Sequence, residues 1–74
     1  MNLGVDGVIS WNDTGASYYV LTSGDSRICL KAGTLSFDAF TAGWKGGYKV
    51  TMECWDSKLN LISKYTSGFT LKNQ

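Results

Sequence analysis

The feature that most constrains this chain is a rhythm. Short runs rich in β-branched and aromatic residues recur about every ten positions, each closed by Gly, Asn, Asp or Ser. No window carries the i, i+3, i+4, i+7 apolar spacing of an amphipathic helix. Val5, Ile9 and Trp11 share a parity broken by Gly7, and Asn12-Asp13-Thr14-Gly15 then reads as a turn. A second strand is predicted over 16–22, with Tyr18 and Val20 on one face and Tyr19 and Leu21 on the other. Ser23-Gly24-Asp25-Ser26 turns the chain into a third strand, 27–32, with Ile28 and Leu30 in phase. Gly33 ends it, and a fourth follows over 34–40 with Leu35 and Phe37 in phase. The Gly-rich stretch 41–47 carries Trp44. In the fifth strand, 48–55, Val50, Met52 and Cys54 alternate with Lys49, Thr51, Glu53 and Trp55. Asp56-Ser57-Lys58 turns again, and a sixth strand covers 59–71, interrupted at Ser67-Gly68.

Parallel pairing would need crossovers of about a dozen residues between strands, and 74 residues leave no room for them. The expectation is therefore an all-β, antiparallel sandwich of six to seven strands, forming one domain over 1–74. The chain is 43% hydrophobic with a net charge of +1, which places it among globular rather than disordered chains. Its seven basic residues, Arg27, Lys31, Lys45, Lys49, Lys58, Lys64 and Lys72, are spread along the chain without a basic stripe, so no nucleic-acid partner is expected. No apolar run approaches the ~20 residues of a membrane helix, and no membrane partner is expected. MNLGVDGVISW lacks the charged and apolar regions of a signal peptide. With Met1 as native start, the protein is made and kept in a cytosol; as an excised secreted domain, it is extracellular.

The order of marks resembles a fibronectin type III domain, one of the immunoglobulin-like sandwiches. The residues that carry the likeness are VISW, ASYYVL, TLSFDAF, GGYKVTMECWD and SGFTL. The resemblance covers about residues 5–72 and implies three assignments. Trp11 becomes the central core tryptophan, Tyr18 and Val20 point inward, and Tyr48 becomes the corner tyrosine whose hydroxyl ties back to backbone just upstream. Two departures stand out. The family's first strand is nearly missing before Val5, and the chain has no proline. A missing first strand leaves a sheet edge with unpaired backbone groups, a template for another strand.

Catalytic chemistry has little to work with. The chain has no histidine, the commonest general base and metal ligand. Its two cysteines cannot close a zinc site alone. Asp13, Asp25 and Asp56 fall at turns, and the serines and threonines have no base beside them. The expectation is no enzyme, no cofactor and no metal. Cys54 shares the inward parity of Val50 and Met52, whereas Cys29 opposes Ile28 and Leu30. Two thiols pointing in opposite directions are not readily bridged, so both are expected to be free.

On that parity, Tyr19, Leu21, Thr51, Glu53 and Trp55 form an outward patch, and Trp44 on its loop is a further contact residue. Tryptophan and tyrosine dominate interface hot spots. The leading expectation is a non-catalytic assembly module that docks on other copies or on a larger protein subunit, with a phage virion (capsid decoration or tail) as the setting. The alternative is a carbohydrate-binding or adhesion module that stacks sugars on Trp44, Trp55 and Tyr65.

Overall fold

A computed structural model describes residues 1–71; Lys72, one of the seven basic residues, lies outside them with Asn73 and Gln74. Seven strands are present among the described residues: β1 (Asn2–Leu3), β2 (Val8–Ser10), β3 (Tyr18–Ser23), β4 (Ser26–Lys31), β5 (Ser36–Asp38), β6 (Lys49–Trp55) and β7 (Leu61–Thr70). They form two antiparallel sheets, one of order β1-β2-β5 and one of order β4-β3-β6-β7. The architecture is the expected antiparallel sandwich. The strand missing from the sequence reading is β1, only two residues long and paired to Ser10 and Ile9.

The core lies between the sheets. Ile9 and Trp11 approach it from one side, and Tyr19, Leu21, Val50, Met52 and Cys54 from the other, with Ala39 and Leu71 closing the ends. Trp11 is buried as expected, and its ring lies 5.7 Å from that of Tyr19. Cys54 is buried, Cys29 is exposed, and both are free.

The parity expected for 16–22 is reversed. Tyr19 and Leu21 are fully buried, and Tyr18 and Val20 stand on the outward face. The reason is register. Gly24-Asp25 is a two-residue turn with φ +58° at Gly24, where a type II′ hairpin places glycine. The turn pairs Ser23 with Ser26, so Leu21 faces Ile28 and Tyr19 faces Leu30. Ile28 and Leu30 point inward and take their partners with them. On the other side Tyr19 pairs with Cys54 and Leu21 with Met52, the same choice of face.

The tyrosine assignment is corrected as well. Tyr48 is about half exposed, and its ring lies across Gly24, where an added Cβ would meet ring carbon at 2.7 Å. Its hydroxyl bonds no upstream backbone among the described residues. Tyr19 makes that kind of tie instead: its hydroxyl accepts the Thr14 N–H at 3.1 Å and donates to Asp13 Oδ1 at 3.0 Å. A buried phenol needs such partners, and the turn 12–15 supplies them.

The expected break at Ser67-Gly68 is a local irregularity inside one strand. Pairing shifts between Lys49 and Thr51, and the buried Ser67 fills the gap. Its Oγ accepts the Val50 N–H at 3.0 Å and donates to the Phe69 carbonyl at 2.6 Å. A second shift, between Cys54 and Trp55, bulges β7 at Ile62.

Removing the Tyr19 hydroxyl leaves the Thr14 amide without its acceptor. Tyr19→Phe is predicted to cost about 1–2 kcal/mol in chemical denaturation, whereas Tyr48→Phe stays within about 0.5 kcal/mol of wild type. The reverse order of costs would restore Tyr48 as the corner residue.

Candidate functional site

Strand register lays out the outward face of the four-stranded sheet as rows running β4, β3, β6, β7. One row is Lys31, Tyr18, Trp55, Leu61. The next is Cys29, Val20, Glu53, Lys64, and the third is Arg27, Thr22, Thr51, Thr66. Lys49 and Thr70 follow at the far end. Side chains in one row are neighbours about 5 Å apart on the same face.

Among these rows lies a groove of about 330 Å³, lined by Tyr18, Val20, Arg27, Cys29, Trp55 and Leu59. Its walls are rings, aliphatic carbon, a thiol and the stem of Arg27. Val20 at its floor is only 7% exposed although it stands on the outward face, because the residues around it close over it.

Leu59 reaches the groove from the β6–β7 turn at a backbone cost. It is the one non-glycine residue with positive φ among those described, at 64°, and its side chain is 71% exposed. A left-handed conformation at a residue with a branched side chain costs roughly 1–2 kcal/mol. Asp56 holds the turn that imposes it. Its Oδ1 accepts the Lys58 and Asn60 amides at 2.9 and 2.8 Å, its Oδ2 accepts Asn60 Nδ2 at 3.2 Å, and its carbonyl accepts the Leu59 amide at 3.1 Å. Trp55 carries a second cost: its indole N–H is closed off from solvent and meets no acceptor. A buried donor left unmade costs about 1–3 kcal/mol. The Trp11 indole N–H and Ser23 Oγ are unpaired in the same way, so the cost particular to this patch is the left-handed Leu59, of the kind found where a surface has a task.

Charge is distributed unevenly. At outward-facing register positions stand Arg27, Lys31, Lys49 and Lys64, against the single carboxylate Glu53, which faces Lys64 across the strands. The aspartates are in turns or at strand ends, and four of them are engaged with their own backbone, Asp6 through the Val8 amide at 3.4 Å. Asp13 accepts the Gly15 amide, Asp38 the Thr41 amide and hydroxyl, and Asp56 the turn described above. The bonds of Asp13, Asp38 and Asp56 hold these three carboxyls below their ordinary pKa. The leading cause is the Gly15 amide for Asp13, the Thr41 amide for Asp38 and the Asn60 amide for Asp56.

Of the contact residues read from sequence, Trp55 and Glu53 do share this face. Tyr19 and Leu21 do not, being interior. Trp44 is half-buried, its ring 4.9 Å from Phe37 on the three-stranded sheet. Tyr65 pairs with the inward-facing Met52 and so lies on the opposite face from Trp55. Trp55 therefore stands on the outward face, whereas Tyr65 lies on the other face of the same sheet and Trp44 packs on Phe37, so the three do not form one stacking platform. Sequence reasoning missed Tyr18, Val20, Arg27, Cys29 and Leu59. The hairpin turn was the signal that could have found the first four, whereas nothing in the sequence marks Leu59 for a left-handed backbone.

Among the described residues no group of three or more Cys, Asp or Glu could hold a metal ion. No helix is long and apolar enough to cross a membrane. Comparison with known proteins returned no match to a family model, a curated protein or a solved structure.

Hydrogen bonds to ionised carboxylates give a pH dependence of definite sign. A carboxyl whose folded pKa is depressed contributes stability that is present above its unfolded pKa and lost as pH falls through the folded value. The unfolding midpoint is predicted to be level from neutral pH to about pH 5 and to drop below about pH 4. In Asp56→Asn the acid drop should be smaller. An acid limb unchanged by Asp56→Asn would mean that this turn contributes nothing to it.

Proposed function

We propose that the chain is a non-catalytic docking module with a fibronectin type III-like sandwich, and that it binds a protein partner through the outward face of its four-stranded sheet. The observation that carries this reading is the groove walled by Trp55, Tyr18 and Leu59. It is apolar and sized for a side chain, and one of its walls is a strained, left-handed Leu59. Aromatic anchors in a desolvated pocket with a polar rim are the anatomy of a protein interface. Assembly on a larger particle, a virion among them, is the setting this reading favours, by analogy of fold rather than by any feature of the groove.

A sugar is the weaker reading. Saccharide hydroxyls need hydrogen-bonding groups beside the stacking ring, and the groove is lined almost wholly by carbon. The aromatic residues that would have formed a platform do not share a face: Trp55 is outward, whereas Trp44 and Tyr65 are not.

Leu59 is the cleaner probe of the site, because Trp55 is half-buried and its loss would disturb the packing around Val20. Leu59→Gly removes one wall of the groove. It relieves the left-handed strain but adds freedom to the unfolded chain, so stability should stay within about 0.5 kcal/mol of wild type. A protein partner recovered on the immobilised chain should bind Leu59→Gly at least about tenfold more weakly, with no fall in the unfolding midpoint. Equal binding by the two forms, or displacement of the partner by soluble polysaccharide, would contradict the proposal.

A further inference from the structure

The net charge of +1 conceals a segregation that only the register reveals. The aspartates lie in turns or at strand ends, four of them bonded to their own backbone, while four cations project from one sheet face. Arg27 and Lys31 flank Cys29 along β4, Lys64 stands at the opposite edge of the sheet on β7, and Lys49 lies at the far end of β6. Glu53, the single carboxylate at these positions, sits directly opposite Lys64, which leaves the β4 side of the groove to Arg27 and Lys31 without a carboxylate neighbour in their rows. The groove runs among these cations, and Arg27 is part of its lining.

Building on the docking reading, we infer that the partner presents an extended acidic segment to this face. One large apolar side chain fills the groove between Val20, Trp55 and Leu59, and flanking carboxylates meet Arg27 and Lys31 on one side and Lys64 on the other. The dimensions agree. Arg27 and Lys31 are four residues apart on one strand, about 13 Å, and β4 and β7 are three strand spacings apart, about 14 Å. An extended segment of about five residues at ~3.3 Å each spans either distance. Guanidinium takes a carboxylate as a two-pronged partner, which favours Arg27 as the anchor of orientation. A nucleic acid would also answer the charge. Its bases, however, carry polar edges that the carbon-lined groove cannot satisfy, and Trp55 is half-buried rather than presented as an open stacking surface.

The test is selection of displayed random short peptides on the immobilised wild-type chain, followed by binding of the selected peptides as free synthetic segments. Enrichment of Asp and Glu around one large apolar residue is expected. Affinity should fall at least about tenfold between about 0.05 and 0.5 M salt, since exposed charges are screened over that range. Lys31→Ser combined with Lys64→Ser should weaken binding about tenfold and flatten the salt dependence, with the unfolding midpoint retained. A role of these lysines in folding alone would leave the salt dependence as it was. Selected peptides that are apolar without acidic bias, yet fail on Leu59→Gly, would overturn the acidic partner and leave the docking groove standing. Peptides that bind Leu59→Gly as well as wild type, or no enrichment at all, would overturn both. Oligothymidine binding more tightly than the selected peptides, and competing with them, would replace the acidic segment by a nucleic acid.

Discussion

The two-residue turn Gly24-Asp25 is the constraint on which the rest of the molecule depends. It leaves Ser23 no partner but Ser26, and from that pair the register of β3 against β4 follows without further freedom. A slip of one residue would exchange Tyr19 and Leu21 for Tyr18 and Val20 in the core. The turn is itself constrained from outside. Gly24 has positive φ, and the Tyr48 ring lies too close for any Cβ there. A single glycine thus sets the hairpin and, through it, which side chains make the core and which make the outward face.

The two faces of β3 are stabilised differently. Inside, Tyr19 combines burial against Trp11 with hydroxyl bonds to Asp13 and Thr14, so the largest core side chain of β3 also pins the loop that enters the strand. Outside, Val20 is shielded by its row and diagonal neighbours rather than by a second sheet. In a domain this small the margin of stability is narrow. An outward patch that holds a strained Leu59 is therefore costly relative to the total, and that strain sits in the groove that Arg27 also lines.

Much of the fold was legible because turn residues and alternation agree. β4 and β6 each put their aliphatic residues and methionine on one parity, so Ile28, Leu30, Val50 and Met52 could be placed inward, and with them Cys54 inward and Cys29 outward. β3 was misread because Tyr-Tyr-Val-Leu is apolar on both parities, and alternation is silent there. The hairpin turn, combined with the known phase of β4, contained the answer. Tyr48 was mistaken for the tied tyrosine because its position in the order of marks was right, whereas hydroxyl bonding depends on which loop lies within reach. The basic face was invisible for a different reason. Arg27 and Lys31 share one strand, but residues 49 and 64 are far from them in the chain, and register alone brings the three strands' cations to one face. Leu59 carries no local mark, since its backbone is dictated by the carboxylate of Asp56 across the turn.

The core and the docking face both depend on which tyrosine of the adjacent pair points into the sandwich. Proton–proton contacts between aromatic rings, measured by nuclear Overhauser spectroscopy on the folded protein, test this directly. The Tyr19 ring should show contacts to the Trp11 indole, and the Tyr18 ring to Trp55 across the outward face. Contacts from the Tyr18 ring to Trp11, with Tyr19 beside Trp55, would mean that the hairpin does not set the register described, and both the core and the docking face would have to be drawn again.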